Sequence, residues 1–238
     1  TIKGSGSFEV NGSTYDATAG ATVFTDVTGT GTLKLASTTN NFSIFTTNGV
    51  GTVEYDGAAQ DIVTLNYNNL KLTNAGNKTA LAALDIDGNF ELSNTATFLD
   101  GGFDHTVAGN WSDANGIFSG TSTITFDGGN QSITTDADLV TGNNFSGVIM
   151  SGSDTKTAAT ALDVNGDFSI AAGVTFAPAG FTHGFSGNWN DSDGEFAPAG
   201  GIINFDGGNQ NITTDADLVT GNNFSGVIMS GSDTKTAA

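Results

Sequence analysis

The chain has 238 residues, a net charge of −19 and no cysteine, and its six cations are all lysine (3, 34, 71, 78, 156 and 235). That charge argues against nucleic-acid binding, which needs cationic groups at phosphates, and against an anionic membrane surface. Disulfides and thiolate metal sites are excluded, and no apolar run approaches the ~18 residues of a membrane span. With 34 Gly, 2 Pro and 17 Phe in a background of Thr, Asn, Asp and Ser, the composition is poor in helix formers and rich in turn formers and strand formers.

Residues 1–50 read as a partial, degenerate repeat beginning at a mature or truncated start, Thr1. Within them SFEVNGS (7–13) parallels LDIDGNF further on, and 31–57 parallels 101–128 in length. Residues 51–121 form a repeat, 122–200 a second, and 201–238 a truncated third, in one continuous array. Three landmarks set the phase: Tyr55-Asp56-Gly57, Phe126-Asp127-Gly128 and Phe205-Asp206-Gly207, at intervals of 71 and 79. The first interval is shorter because TDADLV (135–140) has no counterpart in the earlier copy. Residues 126–159 recur as 205–238 with one difference in 34 positions, Ser132 against Asn211. Ending in the middle of a unit, the array is expected to continue or to be covered by a neighbouring molecule.

Strand signals dominate. Leu162, Val164, Phe168 and Ile170 alternate with Asp163, Asn165, Asp167 and Ser169, with Gly166 in an inward slot, and 84–92 repeats the pattern. Turn clusters such as DGGN and SGSD interrupt the strands every few residues. Phe145, Phe168, Phe185, Phe205 and Phe224 fall 17 to 23 residues apart, which suits one coil per ~20 residues and about four coils per unit. The expected fold is therefore all-β, a parallel β-solenoid (β-helix) with rungs of ~20 residues. The alternative is a string of β-sandwich repeats, but no linker is visible at the joins. At about 4.8 Å per rung, ~12 rungs make a rod of roughly 55–60 Å whose ends present unpaired backbone groups.

Segments such as GTSTITFDGGNQSITT (120–135), LDVNGDFSIAAGVTF (162–176) and FSGNWNDSDGEFAPAGGIINFDG (185–207) resemble the tandem repeats of large secreted bacterial surface and adhesin-like proteins. The resemblance covers nearly the whole chain and implies a β-solenoid or β-rich stalk, adhesin or matrix protein at the cell surface. It brings no catalytic residues. This chain departs from it in being more acidic and in carrying Phe where the family has Leu or Val.

Little here has the pattern of an active site. His105 and His183 occupy equivalent positions but lack a ligand constellation, and read as polar strand residues kept through duplication. Trp111 and Trp189 each follow Gly-Asn, and an exposed indole there could stack on a sugar ring as a glycan site, against a structural anchor as the plainer reading. Asp191, Asp193 and Glu195, in the turn DSDGE, have the alternate oxygen ligands and Gly of a calcium loop. The related strings at 85–89 and 163–167 read as strand, which sets alternate carboxylates ~6.6 Å apart. No arginine and no acid pair suited to general acid/base work is visible, so the chain is expected not to be an enzyme. The Thr-rich strings at 28–32 and 121–125 keep no common register, against an ice-binding ladder. The sequence thus points to an extracellular structural or adhesive rod that needs no cofactor beyond an optional calcium ion. Its expected partner is itself, through ends or edges; the alternatives are a glycan-binding surface module and an S-layer-like lattice.

Overall fold

Strands of two to five residues, alternately apolar and polar, can bury one face each but cannot form a core alone. The chain resolves this by coiling. A computed structural model describes residues 31–36, 51–136, 144–191, 194–197, 199–215 and 224–237, and the backbone of strands Ser7–Val10, Tyr15–Asp16, Val23–Thr25, Asn40–Asn41 and Ile44–Thr46. It contains no helix among these residues. Every strand pairing in them is parallel.

The coil is three-sided. Its first face is a ten-stranded sheet running from Ser7–Val10 to Glu195–Phe196, and its third is a nine-stranded sheet from Asn66–Tyr67 to Lys235–Ala237. The second face is carried by two four-stranded sheets, Gln60–Ile62 to Ile117–Ser119 and Asp163–Val164 to Gly226–Met229. They are joined through the bridges Ser119 to Asn144 and Phe145 to Val164. Each strand pairs with the one a coil later: Leu70 with Phe90, 20 residues on, and Phe90 with Trp111, 21 on. The interval widens to 25 between Gln131 and Lys156, where the TDADLV insertion lies. The β-solenoid with rungs near 20 residues is thus the observed fold, and a single continuous core replaces any string of sandwiches.

Like side chains meet along the axis. Phe90 stacks on Trp111 at 4.2 Å and Phe168 on Trp189 at 4.7 Å between ring centroids, with Phe98 on Phe118 at 5.6 Å. Each fully buried Phe stabilises the coil by roughly 1.5–3 kcal/mol. The alternation read across 162–170 is real, but it turns a corner: Asp163–Val164 lies on the second face and Phe168–Ile170 on the third. Gly166 makes that corner possible, since a Cβ there would stand 1.7 Å from the Ser146 carbonyl oxygen.

The copied unit does not span a whole number of coils. Eleven strand positions separate Thr52–Tyr55 from its copy Thr123–Phe126, and Gln60–Ile62 from Gln131–Thr134. On a three-sided coil that is three and two-thirds turns, against the four expected from Phe spacing. Each copy therefore stands one face round from the last: Thr123–Phe126 lies on the third face and its copy Ile202–Phe205 on the second.

Candidate functional site: core polar residues, an outer groove and an open end

The alternation that builds the core also decides where each candidate side chain points. Trp111 and Trp189 open their strands at inward positions and are 2% and 0% exposed. Their rings lie against Phe and against nothing outside, so the sugar stacking expected of them is not open to either indole in this fold. The structural-anchor reading accounts for both. Neither Nε1 has a hydrogen-bond partner among the described residues.

His105 and His183 are also buried. Leu84 N–H donates to Nδ1 of His105 at 2.9 Å, and Nε2 faces the Asp100 carbonyl at 3.0 Å. His183 repeats this with Leu162 N–H at 3.1 Å and the Pro178 carbonyl at 2.7 Å. An acceptor at Nδ1 and a donor at Nε2 describe a neutral imidazole bridging two backbone segments. Burial holds both below the usual histidine range.

Asp191 points into the core and Glu195 outward, where its Oε2 accepts from Thr175 Oγ1 at 3.2 Å. Asp193 lies outside the described residues. Among the described residues no group of three or more acids or histidines is arranged to hold a metal. Both carboxylate oxygens of Asp191 are buried without a hydrogen-bond partner. Burial first, then Asp215 and Glu195, pushes its pKa up to about 7. Asp113, its copy, accepts from Gly116 N–H at 3.0 Å; burial raises it to about 6, with Asp136 adding to the effect.

The most elaborate polar sites were not foreseen. Gln60, Gln131 and Gln210 stack in register under Lys78, Lys156 and Lys235, all on inward positions. Each Gln grips the Asp-Gly landmark turn: Gln60 Oε1 accepts from Gly57 N–H at 2.8 Å while its Nε2 donates to the Leu35 carbonyl at 2.7 Å. Gln131 and Gln210 do the same for Gly128 and Gly207. The lysine ammonium then takes up the turn's carbonyls. Lys78 Nζ donates to Gly57 O at 2.6 Å and Ala58 O at 2.8 Å, and Lys235 repeats this with Gly207 and Gly208. Burial lowers Lys78 to about 8, against the pull of Asp56. Lys78 and Lys156 are thus buried clamps, and Lys235 makes the same contacts half-exposed. The visible signal was the Gln that stands three residues after the Gly of each landmark turn.

The Asn of each Gly-Asn-Trp string has a similar role. Asn69 Oδ1 accepts from Asn89 N–H, Asn89 from Asn110 N–H and Asn110 from Ser132 N–H, each at 2.8 Å. The later copy runs from Asp167 through Asn188 to Asn211. Side-chain acceptors one coil below therefore hold the corner, which is why this Asn repeats.

Two outer features remain. A groove of about 680 Å³ lies on the third face, lined by Asp167, Ser169, Asn188, Asn190, Asn211 and Thr213 around the partly exposed Ile149. The second is the C-terminal end. Val148 and Met150 are 1% and 0% exposed under the strand Phe168–Ile170, whereas the same residues of the last copy, Val227 and Met229, are 42% and 56% exposed. Comparison of this chain with protein-family models, with curated proteins and with solved structures finds no match.

Proposed function

We propose that the protein is a structural and adhesive rod of an extracellular, bacterial-type surface protein, and that it works mechanically, by extension and self-association. The observation that supports this reading is the continuous parallel coil, in which each strand of the main sheets pairs with the one a coil later over a single core. An apolar strand edge with unpaired backbone groups is a template for another strand. The chain's net charge of −19 keeps rods soluble and apart laterally. The buried histidines, glutamines and Lys78 and Lys156 bind backbone groups of turns and connections. Negative-stain images and sedimentation of residues 1–238 over a range of concentrations test this. One-dimensional chains that lengthen with concentration support it; a monomer throughout, or two-dimensional lattices, would sink it.

The polar groove favours a second reading, a neutral glycan laid along the third face. Amides and hydroxyls suit sugar hydroxyls, and its one acid, Asp167, already serves the corner ladder. Binding on a glycan array that is lost in Asn190→Trp but kept in Trp189→Phe would favour it over stacking on the indoles.

A further inference from the structure

The outward positions of the first face carry a line of charges that neither the core nor the turns use. Strand pairing sets Lys34 beside Glu54, Glu54 beside Lys71 and Lys71 beside Glu91, one residue per coil and in one register. We propose that this line is a docking face for a second copy of the chain, laid antiparallel, so that each lysine meets a glutamate of its partner. This deepens the self-association reading by naming a lateral face, and it rests on that reading.

The argument begins with the scarcity of cations. Against 25 acids the chain has six lysines. Lys78, Lys156 and Lys235 hold turn carbonyls, and Lys3 lies outside the described residues. The remaining two, Lys34 and Lys71, stand on the same line with one glutamate between them. Elsewhere among the described strand side chains every outward charge is an acid: Asp61, Asp85, Asp154, Asp163 and Glu195. Those surfaces repel another copy. The line from Lys34 to Glu91 sums to zero, and it continues through the neutral Ser112 and Thr134.

Neighbours on the line already pair within the chain. Lys71 Nζ lies 2.9 Å from Glu91 Oε1, and Lys34 Nζ lies 2.7 Å from Asp56 Oδ2 and 3.7 Å from Glu54 Oε1. The four side chains of the line are still 16 to 44% exposed. An ammonium has three donors, so a lysine that holds a carboxylate of its own chain can hold one of a partner's as well.

The order of signs decides the orientation. Lysine, glutamate, lysine, glutamate becomes its own complement when reversed. A two-fold axis across the rods, between the coils of Glu54 and Lys71, sets Lys34 opposite the partner's Glu91 and Glu54 opposite the partner's Lys71, each twice. A two-fold along the rods would set every charge opposite itself. A closed pair is therefore antiparallel. At about 4.8 Å per coil the four charges span ~15 Å. Exposed ion pairs are individually weak and screened by salt, so the line sets register and direction more than strength.

Sedimentation of the full chain, alone and in mixtures, tests the face. The chain should pair at about 0.02 M salt and at least about tenfold more weakly at about 0.5 M. Lys71→Glu should pair at least about tenfold more weakly than the parent, because Glu54 then meets a glutamate; Glu54→Lys should do the same, because two lysines meet. Mixing these two variants should restore pairing, as a heterodimer in which all four contacts are again opposite in sign. The chain carrying both changes also complements itself under the same two-fold and should pair with itself. If either single variant loses its circular dichroism, that double variant decides. A line that only braces coil on coil would give no gain on mixing. That result, a double variant that stays single, or pairing indifferent to salt overturns this face and leaves the rod reading standing. A chain that is monomeric at every concentration and salt overturns both.

Discussion

The first copy and the later ones solve one structural problem in two ways. Tyr55 and Tyr67 occupy the positions filled by Phe126 and Phe145, and again by Phe205 and Phe224. The ring geometry is nearly the same, edge-on with centroids 6.5, 6.0 and 5.9 Å apart. The hydroxyls differ. Tyr55 and Tyr67 share a hydrogen bond at 2.9 Å; Tyr55 also accepts from Val63 N–H at 3.1 Å and Tyr67 donates to the Val63 carbonyl. Val63 belongs to the short connection between the second and third faces, the place where later copies carry TDADLV. A short connection turns its backbone inward and needs polar partners there. The copies with the longer connection carry plain Phe at both positions.

The comparison breaks most readily at Phe145. Phe145→Ala removes a ring from between three aromatic neighbours and should destabilise the chain by about 3–5 kcal/mol in urea unfolding. Phe224→Ala, at the uncovered end, should cost under about 2 kcal/mol, because only part of the ring is removed from water. Equal costs would mean that the end is covered in solution. Next in size is Tyr67→Phe, which makes the first copy resemble the others without lengthening its connection. Leaving the Val63 carbonyl unmet should cost about 1–3 kcal/mol. The reciprocal Phe145→Tyr buries a new hydroxyl and should also destabilise; if both changes are neutral, the connection does not govern the choice of ring.

Much of this was open to sequence reading, and what escaped has a physical reason. The period-two alternation at 162–170 and the Phe spacing pointed to a coil because burial parity is a local property of strands. The roles of the Tyr55 and Tyr67 hydroxyls were not legible, since nothing in a string of letters shows which backbone group a hydroxyl meets 8 residues away. The burial of Lys78 and Lys156 was not legible, because it depends on carbonyls contributed one coil below. The indoles of Trp111 and Trp189 were weighed as sugar platforms because their parity is ambiguous right after a Gly-Asn corner. Eleven strands per unit could not be counted while corners such as Gly166 hid inside apparent single strands.

Acidity sharpens the contrast at the roots of the long connections, where Asp136 and Asp215 lie near the buried Asp113 and Asp191. Both buried acids titrate higher in the folded chain than unfolded, so folding takes up protons between about pH 4 and 7. Their stabilising contribution is complete below the unfolded carboxylate range and is lost as pH rises through about 6 for Asp113 and 7 for Asp191. His105 and His183 act in the opposite sense: burial lowers them, so their contribution is whole above the ordinary value of 6.5 and is lost as pH falls. Because the histidines oppose the acids between pH 8 and pH 6, the acid contribution is read by difference: the melting temperature relative to that of Asp191→Asn should rise from pH 8 to pH 6 by about 2–4 °C, the shift that ~1 kcal/mol makes in a chain of this size. Relief of general repulsion would produce a rise too, so Asp191→Asn decides: it should flatten the profile, and an unchanged slope would remove Asp191 from the account.

The smallest effect belongs to the one position where residues 126–159 and 205–238 disagree. Ser132 N–H donates to Asn110 Oδ1 at 2.8 Å, and Asn211 N–H donates to Asn188 Oδ1 at 2.9 Å. In both, the corner ladder uses the backbone of this residue and not its side chain, which faces outward. Ser132→Asn should accordingly change stability by less than about 0.5 kcal/mol, while Asn110→Ala, which removes the acceptor itself, should cost about 1 kcal/mol or more. A large penalty for Ser132→Asn would mean that the hydroxyl has a partner on the outer face, and that the copies differ there for a reason other than drift.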